Sequence, residues 1–423
     1  MSRARRARWA ALGAVALLAG ACRGRPPGPA EPGQLSHLVD SLRPEVERAT
    51  GLRFRSPPRF AMQTREQVRA YIVRQMKEEL PPERLRGSEL TYKLLGMVPD
   101  SLSLERMVEE ILTGQILGYF DPRTSTLYGV EGADPSLLRL TLAHEMVHAL
   151  QHQYLPLDSI LHDDRDNDRL AAAQAVLEGQ ANFASLVMLQ GRAQVDDPEY
   201  WARYSELSRT QQSALGALAE APMILRERLF FPYREGGAFM QWWGHSAHAD
   251  TLPYGRLMPE SSEQILHPER YASGDRPLAL RFTSGPAALY EDDFGEIEIR
   301  ILQAQLAGRT AIGEAPPIGW GGDRFRLYDT PAGAALVWYT AWDDGHAAAR
   351  FRAGTGPGLL ARARAGYRAT LDTLTLGGRP ALRFALAPGG WSEWTRLPQA
   401  ALDQRPTSRP SQKAHSPKSP PNT

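Results

Sequence analysis

His144-Glu145-Met146-Val147-His148 carries the clearest chemistry in this chain. Two histidines four residues apart share one face of a helix, so both imidazoles can reach one metal ion. Glu145 beside the first can take a proton from a water that the metal activates. Such a group would perform metal-assisted hydrolysis, with zinc as the expected ion. Two histidines do not complete it, because catalytic zinc takes three protein ligands and keeps one position open. Glu178, in Glu178-Gly179-Gln180-Ala181, is the candidate third ligand, with Asp163, Asp164 and Asp166 as alternatives. Hydrolysis of an acyl group also needs a donor for the developing oxyanion. Tyr233 and His267 are the candidates for that role.

The elements that must hold these residues are legible around them. Asp134 is a good helix cap and Pro135 a good first residue, so a helix is expected over residues 135–154. Leu140, Ala143, Val147 and Leu150 make one apolar face, and Leu142, Met146 and Ala149 extend it almost all round. A helix of that kind is buried, and its polar stripe of Thr141, His144, Glu145, His148 and His152 then needs partners. Residues 169–190 read as a second helix, capped by Asn167 or Asp168 and ended by Gly191. Ala171, Ala175, Ala181 and Ser185 share the Glu178 face, and small residues there allow close approach. Upstream, two apolar runs flank Asp121-Pro122-Arg123-Thr124 and read as a β-hairpin over residues 115–128. Residues 35–50 are expected to be helical, 59–63 a strand, 64–80 a helix capped by Thr64, and 102–113 a helix.

With the Glu-Gly-x-Ala segment following the HExxH helix, the chain resembles the gluzincins, metallopeptidases whose site is completed by a Glu on a later helix. The resemblance implies that His144, His148 and Glu178 bind zinc and that Glu145 is general base and then proton donor. It also implies a zincin-like domain in which an edge strand lines the substrate cleft. Metzincins fit less well, since Gln151 and Tyr154 stand where that group has Gly and a third His. His152 lies one turn too far along to join the ion. The segments 229–239 and 259–268 are similar to segments of bacterial and archaeal proteins with an HExxH-Ala-Leu-Gln helix.

The remaining sequence sets the context. The chain has 423 residues, 42% hydrophobic and 23% charged, ordinary values for a folded protein. A net charge of +1 gives no bulk field for nucleic acid. Arg3, Arg5, Arg6 and Arg8 precede a short apolar run, as in an export signal. Leu18-Ala19-Gly20-Ala21-Cys22 resembles the lipobox of bacterial lipoproteins, with the Leu one position further upstream than usual. It implies lipidation of Cys22 and a membrane-anchored protein of the cell envelope. An ordinary cleaved leader and a secreted product fit the same residues. Cys22 is the one cysteine, so no intrachain disulfide can form.

The fold class is read as α+β: signal peptide 1–22, flexible linker 23–34, zincin-like domain 35–300, C-terminal α/β subdomain 301–403 and disordered tail 404–423. In the C-terminal part, 325–328 and 335–342 read as strands joined by Thr330-Pro331-Ala332-Gly333, 347–352 as a helix and 381–385 as a strand. Trp338, Tyr339, Trp342, Trp391 and Trp394 are expected in its core. The function expected is hydrolysis of protein or peptide substrates at the envelope. An inactive binding protein on the same scaffold and a zinc amidase acting on cell-wall material remain open.

Overall fold

The computed structural model describes residues 32–403 except 115, 162–165, 213–215, 314–315 and 365. The leader with Cys22, most of the linker, the tail, and His162, Asp163 and Asp164 lie outside the described residues. No helix among the described residues is long and apolar enough to cross a membrane.

The class is α+β, and helices dominate the first three quarters of the chain. α1 (Pro32–Thr50) buries Val39, Leu42 and Val46 at a spacing of three and four. β1 (Arg59–Gln63) leads to α2 (Arg65–Glu79), capped by Thr64 as expected. The Thr64 hydroxyl accepts from the Gln67 N–H, and the Gln67 side-chain Oε1 accepts from the Thr64 N–H. α3 (Pro82–Leu95) and α4 (Leu104–Gly114) follow. The sequence predicts no helix at α3, because Pro81-Pro82 reads as a stop. Pro82 is instead the first residue of the new helix, where a missing N–H costs nothing.

The expected hairpin is present as β2 (Gly118–Asp121) and β3 (Thr126–Val130). β1 pairs parallel to β3 on its other side, so the order is β1-β3-β2 and β2 is an edge. α5 (Pro135–Tyr154) begins where the sequence places it, with the Asp134 carboxylate accepting from the N–H groups of Ser136 and Leu137. Leu142, Met146, Val147 and Leu150 are wholly buried, each worth about 1.5–3 kcal/mol.

α6 (Leu157–Leu161) leads to α7 (Asn167–Gln190), whose cap is Asp166 rather than Asn167 or Asp168. The Asp166 carboxylate accepts from the Arg169 N–H. α8 (Arg192–Val195), α9 (Pro198–Gln212) and α10 (Gly216–Glu220) then lead to α11 (Met223–Trp243). α11 lies along α7 with no side chain between them where their glycines meet. A Cβ on Gly179 would sit 2.3 Å from the Gly236 carbonyl carbon, and one on Gly236 would sit 2.1 Å from the Ala175 carbonyl oxygen.

Two short helices, α12 (Ser262–Leu266) and α13 (Pro268–Ala272), precede β4 (Leu280–Phe282), β5 (Tyr290–Asp292) and α14 (Gly295–Leu306). β6 (Trp320–Thr330), β7 (Gly333–Trp342), α15 (Gly345–Leu360), β8 (Tyr367–Leu376), β9 (Arg379–Pro388) and β10 (Ala400–Leu402) complete the chain. Five strands form an antiparallel sheet in the order β5-β6-β7-β9-β8. One face carries Phe325, Trp338, Trp342 and Phe384 into a core shared with α7, α11, α14 and α15. The other carries Tyr328, Val337 and Tyr339 against β4, β10 and Trp391. Trp338, Tyr339, Trp342 and Trp391 are buried, as core packing requires.

The expected junction at residues 300/301 falls inside α14, and β5 already belongs to the C-terminal sheet. The two parts thus share one core, because the apolar residues Ile297, Ile299 and Ile301 join α11 and the sheet in it.

Candidate metal centre

His144 and His148 project from the middle of α5, one turn apart, toward α7. Glu178 comes from the middle of α7 to meet them. His144 Nε2 lies 3.1 Å from Glu178 Oε2 and 3.1 Å from His148 Nε2, and His148 Nε2 lies 3.3 Å from the same oxygen. Among the described residues these three form a group whose ligand atoms could hold a metal ion. A cation between them would satisfy both imidazole nitrogens and the carboxylate oxygen at once.

The electrostatics agree. Burial pushes the His148 imidazole down, but Glu178 and then Glu145 outweigh it and raise the pKa to about 9. Burial would push the Glu178 carboxyl up, yet His148 and His144 hold it well below the usual carboxylate range. The pocket therefore keeps a carboxylate charged and favours positive charge beside it.

Glu145 is fully buried on the same turn of α5. Its Oε2 accepts from the Phe120 backbone N–H at 2.9 Å, so the edge strand β2 fixes one oxygen of the expected base. Tyr233 sits on α11 one residue after Pro232, with its ring alongside His144 at 5.9 Å between centroids and 29° between planes. By sequence, Pro232 makes a turn the alternative setting for Tyr233. The structure places it inside a helix, with its hydroxyl near Glu178. Burial, then Glu178 and Glu145, push its pKa well above the ordinary value, so it keeps its proton. Asn182 holds this turn of α11 by donating to the Tyr233 carbonyl at 2.9 Å.

The structure does not bring His267 to this group. It follows α12 and is buried against α14, with Nε2 at 2.9 Å from both Glu296 Oε1 and Arg300 Nη2. It belongs to an ion cluster at the start of α14, and its ring faces carboxylate and guanidinium rather than the cleft. Asp166 is used up as the cap of α7.

A cleft opens beside His148 and Glu178. Phe120, Pro122, Leu157, Leu161, Leu177, Leu229 and Pro232 make its walls mostly apolar, and Tyr233, His152 and Arg228 add polar groups. Sequence reasoning misses Phe120 and Gln151 as parts of the site. Gln151, three residues after His148 on α5, shares its face of the helix, which is the signal that could have found it.

A family model described as a domain of unknown function, DUF8575, matches residues 286–380. That span runs from just before β5 into the start of β9, includes neither His144, His148 nor Glu178, and covers under half of the chain. No curated protein matches. Among solved structures the chain is similar to a protein of Chloroflexus aurantiacus described as "a putative hydrolase with a novel fold". The two are 19% identical with a TM-score of 0.35, over 58% of this chain and 90% of that one. A likeness at that level carries no argument about fold or activity.

Proposed function

We propose that this protein is a zinc-dependent peptidase of gluzincin type. The convergence of His144, His148 and Glu178, with Glu145 and Tyr233 beside them on one cleft, supports this reading. The donor set is that of a catalytic zinc site: two imidazoles, one carboxylate, and a side open to the cleft. Zinc bonds of about 2.0–2.1 Å in a tetrahedron put neighbouring ligand atoms about 3.3 Å apart. The observed separations of 3.1, 3.1 and 3.3 Å match that spacing.

Zinc bound there would supply Lewis acidity, polarising a scissile carbonyl and making a water acidic enough to lose a proton near neutrality. Glu145 accepts that proton and returns it to the leaving amine. The Phe120 N–H, held on Glu145 Oε2, keeps the carboxylate oriented through both transfers. Tyr233 stays protonated and donates to the carbonyl oxygen as negative charge develops on it. The apolar walls favour a substrate with apolar side chains near the scissile bond. Protein or peptide chains at the cell envelope are the proposed substrates, with the enzyme anchored through lipidated Cys22 after export.

Glu145→Gln tests the mechanism. It should abolish hydrolysis of a mixed peptide library while zinc content, measured by metal analysis, stays stoichiometric. Activity that survives the change would show that Glu145 is not the base.

A further inference from the structure

Gln151 is fully buried on α5, and its carboxamide makes three contacts. Nε2 donates to the Leu177 carbonyl and to Gln180 Oε1, each at 2.9 Å. A peptide carbonyl can only accept, so this end of the amide must be the NH₂ and the opposite end the oxygen. That oxygen lies 2.8 Å from His148 Nδ1. An amide oxygen has no hydrogen to give, so Nδ1 carries the proton and donates it. In the neutral ring Nε2 is then left with its lone pair, which faces His144 Nε2 and Glu178 Oε2.

The amide is itself held in place. Gln180 Oε1 accepts a further hydrogen bond from the Tyr254 hydroxyl, which comes from the segment after α11. Leu177 directly precedes Glu178 on α7. One buried amide therefore braces a ring on α5 and the backbone next to the carboxylate on α7. Methionine, with the same length and no polar end, would fill the space without desolvating an amide. A buried amide whose orientation is fixed by a carbonyl points to a task for the orientation.

We propose that Gln151 is a positioning residue that holds His148 in the tautomer presenting Nε2 to the metal, and so sets the affinity of the site for zinc. The proposal rests on the metal-site reading above. Its test is a zinc titration of the full chain against a chromogenic chelator, wild type beside Gln151→Met. The expected result is a Kd raised by roughly 10–100-fold in the variant, the range seen when a partner behind a metal-bound His is removed. A residue that only ties α5 to α7 would lower the melting temperature of the metal-free protein and leave the Kd within about twofold, and that result overturns the proposal.

Failure of the wild type to bind zinc at all would be a different outcome. It would remove the metal reading itself and the proposal with it. If Gln151→Met does not fold, nuclear magnetic resonance of ¹⁵N-histidine-labelled, zinc-loaded wild type decides. His148 Nδ1 must carry a slowly exchanging proton. A His148 Nδ1 without one, or one that itself binds the metal, overturns the proposal.

Discussion

Replacing Gly179 with alanine is expected to wedge α7 away from α11. The new Cβ would sit 2.3 Å from the Gly236 carbonyl carbon and 2.4 Å from its oxygen. Carbon atoms rest at about 3.5–4.0 Å, so the contact is short by roughly 1.2–1.7 Å, and the obstacle is backbone that cannot rotate aside. Alanine gains about 1 kcal/mol of helix propensity over glycine. Overpacking costs typically 1–3 kcal/mol, and the upper end applies where two helices must separate. The net loss is then about 1–2 kcal/mol, or, for a folded part this large, a melting temperature lower by roughly 1–3 °C.

The chemistry should suffer in a particular way. Tyr233 is carried by α11 and moves with it, away from Glu178, while the ligands on α5 and α7 stay together. Hydrolysis should fall while zinc content holds. Gly354→Ala is the control: this glycine is exposed inside α15, an added methyl would meet no neighbour within 4 Å, and the variant should gain up to about 1 kcal/mol. Melting curves and zinc analysis on both variants are the measurements. A Gly179→Ala protein that melts at or above the wild type would refute the close-contact reasoning.

Two further outcomes are expected. Tyr233→Phe should lower kcat by about 10²–10³ with zinc content unchanged, as when one oxyanion donor is lost; steady-state kinetics on a peptide substrate check it. Asp168 should make stability fall as pH rises. Burial first, with Asp166 and Asp323 adding, lifts its pKa to about 8, and one of its oxygens has no hydrogen-bond partner among the described residues. The folded state thus holds a proton that the unfolded chain releases above about pH 4, so stability is lost as pH rises from about 4 through 8. Asp168→Asn keeps an acceptor for the Ser262 N–H and should flatten that slope. Melting temperatures of both metal-free proteins from pH 5 to pH 8.5 are the measurement, and parallel curves would rule out Asp168 as the source.

What can be read from the sequence is whatever local chemistry announces. Thr64, Asp134 with Pro135, and Gly191 mark helix ends by hydrogen bonds and backbone angles that depend on a few neighbouring residues. His144, His148 and Glu178 are legible because helical spacing and donor type suffice to bring them to notice. α11 is not legible. It holds Pro232 and the pair Gly236-Gly237, all of which disfavour a helix, and it forms because those glycines let α7 and Trp201 come against it. Tertiary packing there overrides propensity, and Tyr233 can be placed only once that packing is known. His267 is misplaced for a related reason. A lone His beside Pro268 has no local sign of its partners, and Glu296 and Arg300 lie about thirty residues on.

His144 and Glu178 are only 34 residues apart, and both helices that carry them are complete by Gln190. Tyr233, which covers the site, comes later in the chain. During synthesis from the N-terminus, a chain grown just past residue 190 already contains every expected ligand. A loop of that length closes at modest entropic cost. Such a chain could capture a metal ion and pin α5 to α7 while lacking the phenol and most of one wall of the cleft. Loading and competence would then be separate events in the life of the polypeptide, with the proposed hydrolysis withheld until the second half has folded.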